Sequence, residues 1–208
     1  FHSDIASGLY LSVVFQPQVT DLEEVPQYTL LAASAMVTAL EAASGQRLRI
    51  KWVNDLFCRG RKIGGILTEA TTDIESRSLS SIIIGIGLNL SGDFSQAEAA
   101  TQSVAGTLFG QEMPADFNPN QVIHDFLRQL AYYIRTLSDK TYLAHYEEHL
   151  LGVGRQVSYQ QAGQEYTGII QGITDQGHLL VQDPHGQIRT LFSQEVHFSS
   201  QQFADDLD

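Results

Sequence analysis

A single cysteine, Cys58, stands in the 208 residues, so no disulfide can form within the chain. One lone thiol fits a reducing compartment, and a cytoplasmic location is the expectation. Cations are also scarce: 12 Lys and Arg face 24 Asp and Glu, a formal net charge of −12. That balance argues against a broad basic footprint for nucleic acid or an anionic membrane surface, so any phosphate site has to be local. No apolar run reaches the length of a membrane span, and no signal peptide, internal repeat or low-complexity tract is visible. What is present is apolar material: 43% of residues are hydrophobic and 17% charged. This supports a packed core rather than disorder, in one sizeable domain with a small satellite. The first residue is Phe1, with a strand-like run close behind it. The chain is therefore expected to begin inside a larger protein.

Residues 8–15 (GLYLSVVF) alternate Leu9, Leu11, Val13 and Phe15 with Tyr10, Ser12 and Val14, a strand apolar enough to be buried on both faces. Residues 28–44, rich in Ala and Leu and stopped by Gly45, predict a buried helix whose small residues serve packing. Arg47–Trp52 alternates three apolar residues with three cations, and a hairpin around Arg59-Gly60 leads into a strand over Arg61–Glu69. Ser81–Leu90 places Ile82, Ile84, Ile86, Leu88 and Leu90 on one face, against Ile83, Gly85, Gly87 and Asn89 on the other. Residues 93–118 are small and polar, with a short helical piece at most. Asn118-Pro119 opens a helix that runs to about Leu137, and a second follows over about 140–150. His124, His145 and His149 fall on these two helices; with no acidic or Cys partner in the pattern, they are read as surface histidines rather than metal ligands. From Gly152 short strands, Gln156–Gln160, Gln164–Ile173, His178–Gln182 and Gln187–Ser193, alternate with Gly and Asp-Gly-type turns. The expected fold is α/β, a mixed sheet with helices over residues 1–150, followed by a small all-β barrel over 151–198 and a polar tail over 199–208.

The stretch KWVNDLFCRGRKIGGILTE, residues 51–69, gathers four cations around one Asp in an otherwise acidic chain. A two-residue turn at Arg59-Gly60 pairs Phe57 with Lys62 and Asp55 with Gly64. Lys51, Asp55, Lys62 and Gly64 then share one face with Val53, Phe57 and Ile66. Bare glycines on such a face let a ligand approach the backbone. Ammonium groups neutralise phosphate or carboxylate oxygens, and an Asp beside phosphates holds Mg²⁺. Lys51 and Lys62 stand six strand positions apart, roughly 20 Å in an extended strand, which suits a nucleotide joined to a second substrate. The competing reading makes the two lysines solvated ends of edge strands and Gly64-Gly65 a bulge.

Three motifs in order resemble the biotin protein ligase family. KWVND at 51–55 is similar to its K-W-P-N-D, RKIGGILTE at 61–69 to its R-K-x-x-G-I-L-x-E, and IIGIGLNL at 83–90 to its I-G-x-G-x-N strand. GLYLS at 8–12 resembles its N-L-Y-L-S strand, and the small unit after Gly152 is also what that family has. The resemblance implies a two-step ligase. Biotin and ATP give biotinyl-5′-AMP and pyrophosphate; a lysine of a biotin carboxyl carrier domain, as in acetyl-CoA carboxylase, then takes the biotin and releases AMP. By position, the resemblance puts Lys62 on the biotin carboxylate and the attacked phosphate. Lys51, Asn54 and Asp55 serve ATP phosphates and Mg²⁺, with Asp55 as the metal ligand, and Asn89 serves the nucleotide. Gly65, Leu67, Gly85 and Gly87 shape the biotin wall, and Phe1 forms an aromatic lid near the adenylate.

Two departures accompany the match. Val53 stands where the family has Pro, and a β-branched residue suits the same extended backbone. The G-R-G-R-x-G-R loop and the upstream polar residues for the ureido ring are not in the sequence, so residues 1–208 alone are expected to bind biotin poorly. A lipoate or octanoyl ligase or transferase of similar fold is the alternative enzyme, and a non-enzymatic adenylate-binding module the alternative class. A homodimer joined through sheet edges is a further expectation of the resemblance.

Overall fold

The computed structural model describes residues 8–17, 25–73 and 79–203; the expectation for Phe1 lies outside them. Helix α1 (Val25–Ser44) is the centre of the first unit. Its Ala- and Leu-rich run is buried nearly all round, because the sheet covers one side while two later helices cover the other. Gly45 ends it at φ +65°, where its N–H returns to the Glu41 carbonyl at 2.9 Å.

The sheet holds β1 (Gly8–Phe15), β2 (Leu48–Lys51), β3 (Asp55–Cys58), β4 (Arg61–Thr72) and β5 (Leu79–Asn89), in the order β1-β5-β4-β3-β2. Every ladder among the described residues is antiparallel; the only parallel pairs are the isolated bridges Ile50–Leu150 and Lys62–Ala105. Strand β5 divides as its pattern predicts, with Ile82, Ile84, Ile86 and Leu88 buried against α1's side. Strand β1 departs from expectation. It is an edge strand, and Tyr10 and Val14 are exposed rather than buried on a second face. An alternating apolar strand reports one buried face; the second face depends on what lies over it.

Helix α2 (Ala99–Val104) is the short piece in the polar stretch. Helix α3 (Pro119–Arg135) starts where predicted, with the Asn118 side chain accepting from the Asn120 N–H at 3.0 Å. Helix α4 (Thr141–His149) carries the histidines into a different setting from the one expected. His124 is on the surface, but His149 is buried, stacked on His145 at 4.3 Å, with Nε2 3.4 Å from Glu41. Helix α1 covers this end of α4, which the helix's own pattern does not reveal.

The second unit is a five-stranded antiparallel sheet of β6 (Gln156–Gln161), β7 (Gln164–Ile173), β8 (Leu179–Gln182), β9 (Ile188–Leu191) and β10 (Val196–His197), ordered β10-β6-β7-β8-β9. Residues 200–203, read as part of a polar tail, form a 3-10 turn that buries Phe203 against Gly152 and bonds Gln202 to the Ser158 backbone. One aromatic residue among polar ones is enough to dock such a segment.

Candidate active site

Two hairpins in succession build the site. The first is tight: β2 ends at Lys51, β3 begins at Asp55, and the two residues face each other across the ladder. Asn54 fastens the turn between them. Its Nδ2 donates to the Ile66 carbonyl at 2.7 Å, and its own carbonyl accepts from the Ile66 N–H at 3.0 Å. Tyr146, fully buried on α4, donates its hydroxyl to the Val53 carbonyl at 3.0 Å.

The second hairpin turns at Arg59-Gly60, as expected, with Phe57 opposite Lys62. The register then shifts by one residue. Leu56 faces Gly64 and Asp55 faces Gly65, so Ile63 is the extra residue of a bulge. The expected pairing of Asp55 with Gly64 is therefore corrected to Gly65. A bulge moves every residue beyond it to the other face. Gly64 turns inward, where a Cβ would collide with the Gly87 carbonyl, and Phe57 and Ile66 lie in the core. Gly65 turns outward beside Asp55 and Lys62. Lys62 keeps the face expected of it and reaches Asp55: Nζ lies 2.5 Å from Oδ1.

Lys51 comes to the other oxygen of that carboxylate, 3.4 Å from Oδ2. The 20 Å separation expected of an extended strand collapses, because the tight turn folds Lys51 back onto Asp55. The two lysines differ in setting. Lys62 remains partly open, its side chain 37% exposed. Lys51 is buried, and its other two contacts are to the Phe198 carbonyl at 3.0 Å and Ser200 Oγ at 2.8 Å. Burial lowers the Lys51 pKa from its ordinary 10.5, against the opposing pull of Asp55.

Lys62 lies between two clefts. One, of about 490 Å³, runs over the open face of the sheet between Tyr10, Ser12, Gly65, Leu67, Gly85 and Gly87, with Asp55 and Asn54 at its edge. A Cβ at Gly85 would meet only the Leu67 carbonyl, at 3.8 Å, so the floor is bare backbone. The other, of about 560 Å³, lies under the segment that carries α2, between Asn89, Phe94, Thr101 and Val104. That segment is tied down from the sheet. Asn89 Nδ2 donates to the Gly106 carbonyl at 3.3 Å, and Arg61 donates to the Gln102 and Ser103 carbonyls at 2.9 and 2.7 Å.

Lys51, Asp55, Lys62, Gly65, Leu67, Gly85 and Gly87 thus gather on one side of the sheet, with Asn54 at the turn and Asn89 at the second cleft. Tyr10 and Ser12 were missed as wall residues. Alternation put the two on one face, but the wall they form is set by the pairing of Tyr10 with Gly87 and Ser12 with Gly85, which no local pattern gives. Phe94 and Thr101 carried no signal, since their segment has no period.

As a metal site the arrangement offers one carboxylate, Asp55, beside the amide of Asn54. No group of three His, Cys, Asp or Glu side chains occurs among the described residues. A closed protein cage is not what this donor set resembles. It fits an ion that takes one carboxylate and draws its remaining oxygens from substrate phosphates and water, the habit of Mg²⁺.

Comparison with known proteins reflects the same layout. The Biotin/lipoate A/B protein ligase family model matches residues 1–89, and the Biotin protein ligase C terminal domain model matches residues 152–199. A biotin–[acetyl-CoA-carboxylase] ligase of Paracoccus denitrificans is 30% identical over 197 residues, covering 90% of this chain and 78% of that protein. The chain belongs to the biotin protein ligase family. A second family relative, the bifunctional ligase/repressor BirA of Bacillus spizizenii, is 31% identical over 204 residues, 94% of this chain. The chain spans 60% of that protein's length. The apo biotin protein ligase of Aquifex aeolicus shares the family fold, with a TM-score of 0.72 at 23% identity over 92% of this chain and 81% of that one. Its complex with biotin and ATP aligns with a TM-score of 0.71 at 22% identity, over 93% and 79%. Among the described residues no helix is long and apolar enough to cross a membrane.

Proposed function

We propose that this chain carries the activating site of an ATP-dependent, AMP-forming biotin–protein ligase. The observation that supports this best is the place of Lys62, the side chain common to the glycine-floored cleft and the cleft beneath α2. A cation between two cavities suits a reaction that brings two anions together. Biotin lies along Gly65, Leu67, Gly85 and Gly87, its carboxylate toward Lys62; the nucleoside of ATP lies in the cleft by Asn89.

A carboxylate oxygen of biotin attacks the α-phosphorus. The bond from phosphorus to the bridging oxygen breaks, and pyrophosphate leaves with the electron pair. Negative charge gathers at the α-phosphate, and a fixed ammonium stabilises it more than the separated substrates. Asp55 orients Lys62 and, with Asn54, supplies protein oxygens for Mg²⁺, which when bound neutralises the polyphosphate. In the second step the amine of a carrier-domain lysine attacks the acyl carbon, loses a proton and expels AMP.

The partner of that step is a biotin carboxyl carrier domain. We also propose that two copies pair along an open sheet edge. β1 is an outermost strand, and Leu67–Thr72 of β4 extends past its last partner in β3.

Lipoate is the competing substrate, since the family that matches residues 1–89 includes lipoate ligases. The match of residues 152–199 to a biotin ligase domain favours biotin. ATP–pyrophosphate exchange by the full-length protein, with biotin or lipoate supplied in turn, tests this. Exchange with biotin alone is expected; exchange with lipoate, or with neither, overturns the reading.

A further inference from the structure

We infer that Lys51 is a positioning residue that couples the C-terminal sheet to the Asp55–Lys62 pair, and that it does so without touching either substrate. The coupling itself is independent of the proposed function; its effect on adenylation rests on that reading.

An ammonium has three N–H donors. Those of Lys51 meet Asp55 Oδ2 at 3.4 Å, the Phe198 carbonyl at 3.0 Å and Ser200 Oγ at 2.8 Å. None is left for a phosphate. With Lys51 8% exposed, an incoming ligand has no path to it that leaves these contacts whole. Two of the three partners follow it by 147 and 149 residues, in the segment after β10. A charge this buried is retained in a fold only where its partners fix it.

The neighbouring residue makes the same crossing. Trp52 Nε1 donates to the Gly177 carbonyl at 2.9 Å, in the turn between β7 and β8. Its ring meets Phe198 edge-on at 6.2 Å, and Phe198 lies 5.6 Å from Tyr159 of β6. Consecutive residues at the end of β2 are thus plugged into two different parts of the second sheet. Yet that sheet adds no residue to either cleft at Lys62, whose walls all come from residues 10–105. Its side-chain contact with the Asp55–Lys62 pair is made through Lys51, which holds one oxygen of Asp55 while Lys62 holds the other. If the second sheet lets go, Lys51 keeps one partner of three. Asp55 is then held by a lysine that nothing else fixes in place, and the counter-ion of Lys62 is less firmly set.

The test uses Lys51→Met, which keeps the length and removes the charge, and Ser200→Ala, which removes one bracket contact far from both clefts. Trp52 is the only tryptophan in the 208 residues, so its emission and acrylamide quenching report the joint without any ligand. Biotinyl-AMP formation in the full-length protein is measured alongside. Both variants, with parental circular dichroism, are expected to expose Trp52 to quencher, Lys51→Met more than Ser200→Ala. Both should slow the single-turnover rate, by about tenfold for Lys51→Met, as a misplaced group does, with the KM for ATP little changed. A raised KM for ATP at unchanged rate and unchanged quenching in Lys51→Met, with Ser200→Ala silent, overturns the inference and makes Lys51 a phosphate ligand. If the parent fails to adenylate biotin, the functional reading falls, and the quenching experiment still decides whether the joint exists.

Discussion

Gly65 shares a face with Asp55 and Lys62 only because Ile63 is an extra residue in β4. Without that bulge a strict alternation would set Gly64 opposite Asp55 and turn Gly65 to the face away from Lys62. The family motif R-K-x-x-G thus has a mechanical reading here: its two intervening residues carry the bulge that returns the lysine and the second glycine to the same face.

Adjacent glycines should therefore fail in opposite ways. At Gly64 a Cβ would strike the Gly87 carbonyl and lie 2.7 Å from Leu88 Cδ2, so Gly64→Ala forces the central strands apart. At Gly65 a Cβ would rest at ordinary contact, 3.5 Å from Asp55 Oδ1 and 3.9 Å from the Lys62 Cε. Gly64→Ala should lower the melting temperature of the chain. Gly65→Ala should leave it near the parent while weakening biotin binding. Thermal scans paired with calorimetric titration of biotin into the full-length protein check both.

Tyr146→Phe tests the turn that carries Asn54 and Asp55. Its hydroxyl is fully buried, and burial raises its pKa well above 10, so it stays a neutral donor to the Val53 carbonyl. Loss of that bond should destabilise the protein by about 1 kcal/mol in urea unfolding. It should also slow adenylation, since the turn precedes Asp55 by one residue.

Acid should loosen the second sheet through Asp183. Its carboxylate accepts from the backbone N–H of Gln187 at 3.0 Å and of His185 at 2.9 Å, and from Arg189 Nε at 2.9 Å. Led by the Gln187 bond, and against partial burial, these hold its pKa below the ordinary 3.8. A depressed carboxylate stabilises the fold fully above its unfolded value and ceases to do so as pH falls through the folded one. The loss is thus expected below pH 3.8. Asp183→Asn should flatten the acid end of a plot of melting temperature against pH, and an unchanged slope would contradict this.

How much of this could be read beforehand varied with the physics of each element. Helix α3 was legible because Asn118, Pro119 and a regular apolar stripe are local signals. Strand β7 was legible from end to end because Gly163 precedes it and the turn through Asp175 and Gly177 follows it. The face shared by Lys51, Asp55 and Lys62 was foreseen, but through a register that did not include the bulge. Gly64-Gly65 did suggest a bulge in the competing reading; that the extra residue is Ile63 is set by how β4 pairs with β3. The family motifs identified Gly65 where register arithmetic chose Gly64. Lys51 shows the wider limit. Its partners Phe198 and Ser200 lie almost three-quarters of the chain away, and no spacing rule connects them.

Single-turnover formation of biotinyl-5′-AMP by full-length Lys62→Ala, matched to the parent by circular dichroism, tests the central claim most directly. If Lys62 stabilises charge at the α-phosphate, its loss costs on the order of 3 kcal/mol, and the rate should fall about a hundredfold. Lys62→Arg should rescue little, since a planar guanidinium does not reproduce a compact ammonium held against Asp55. Adenylate formation by Lys62→Ala within about threefold of the parent, less than about 1 kcal/mol, would contradict the account and make Lys62 a solvated strand residue.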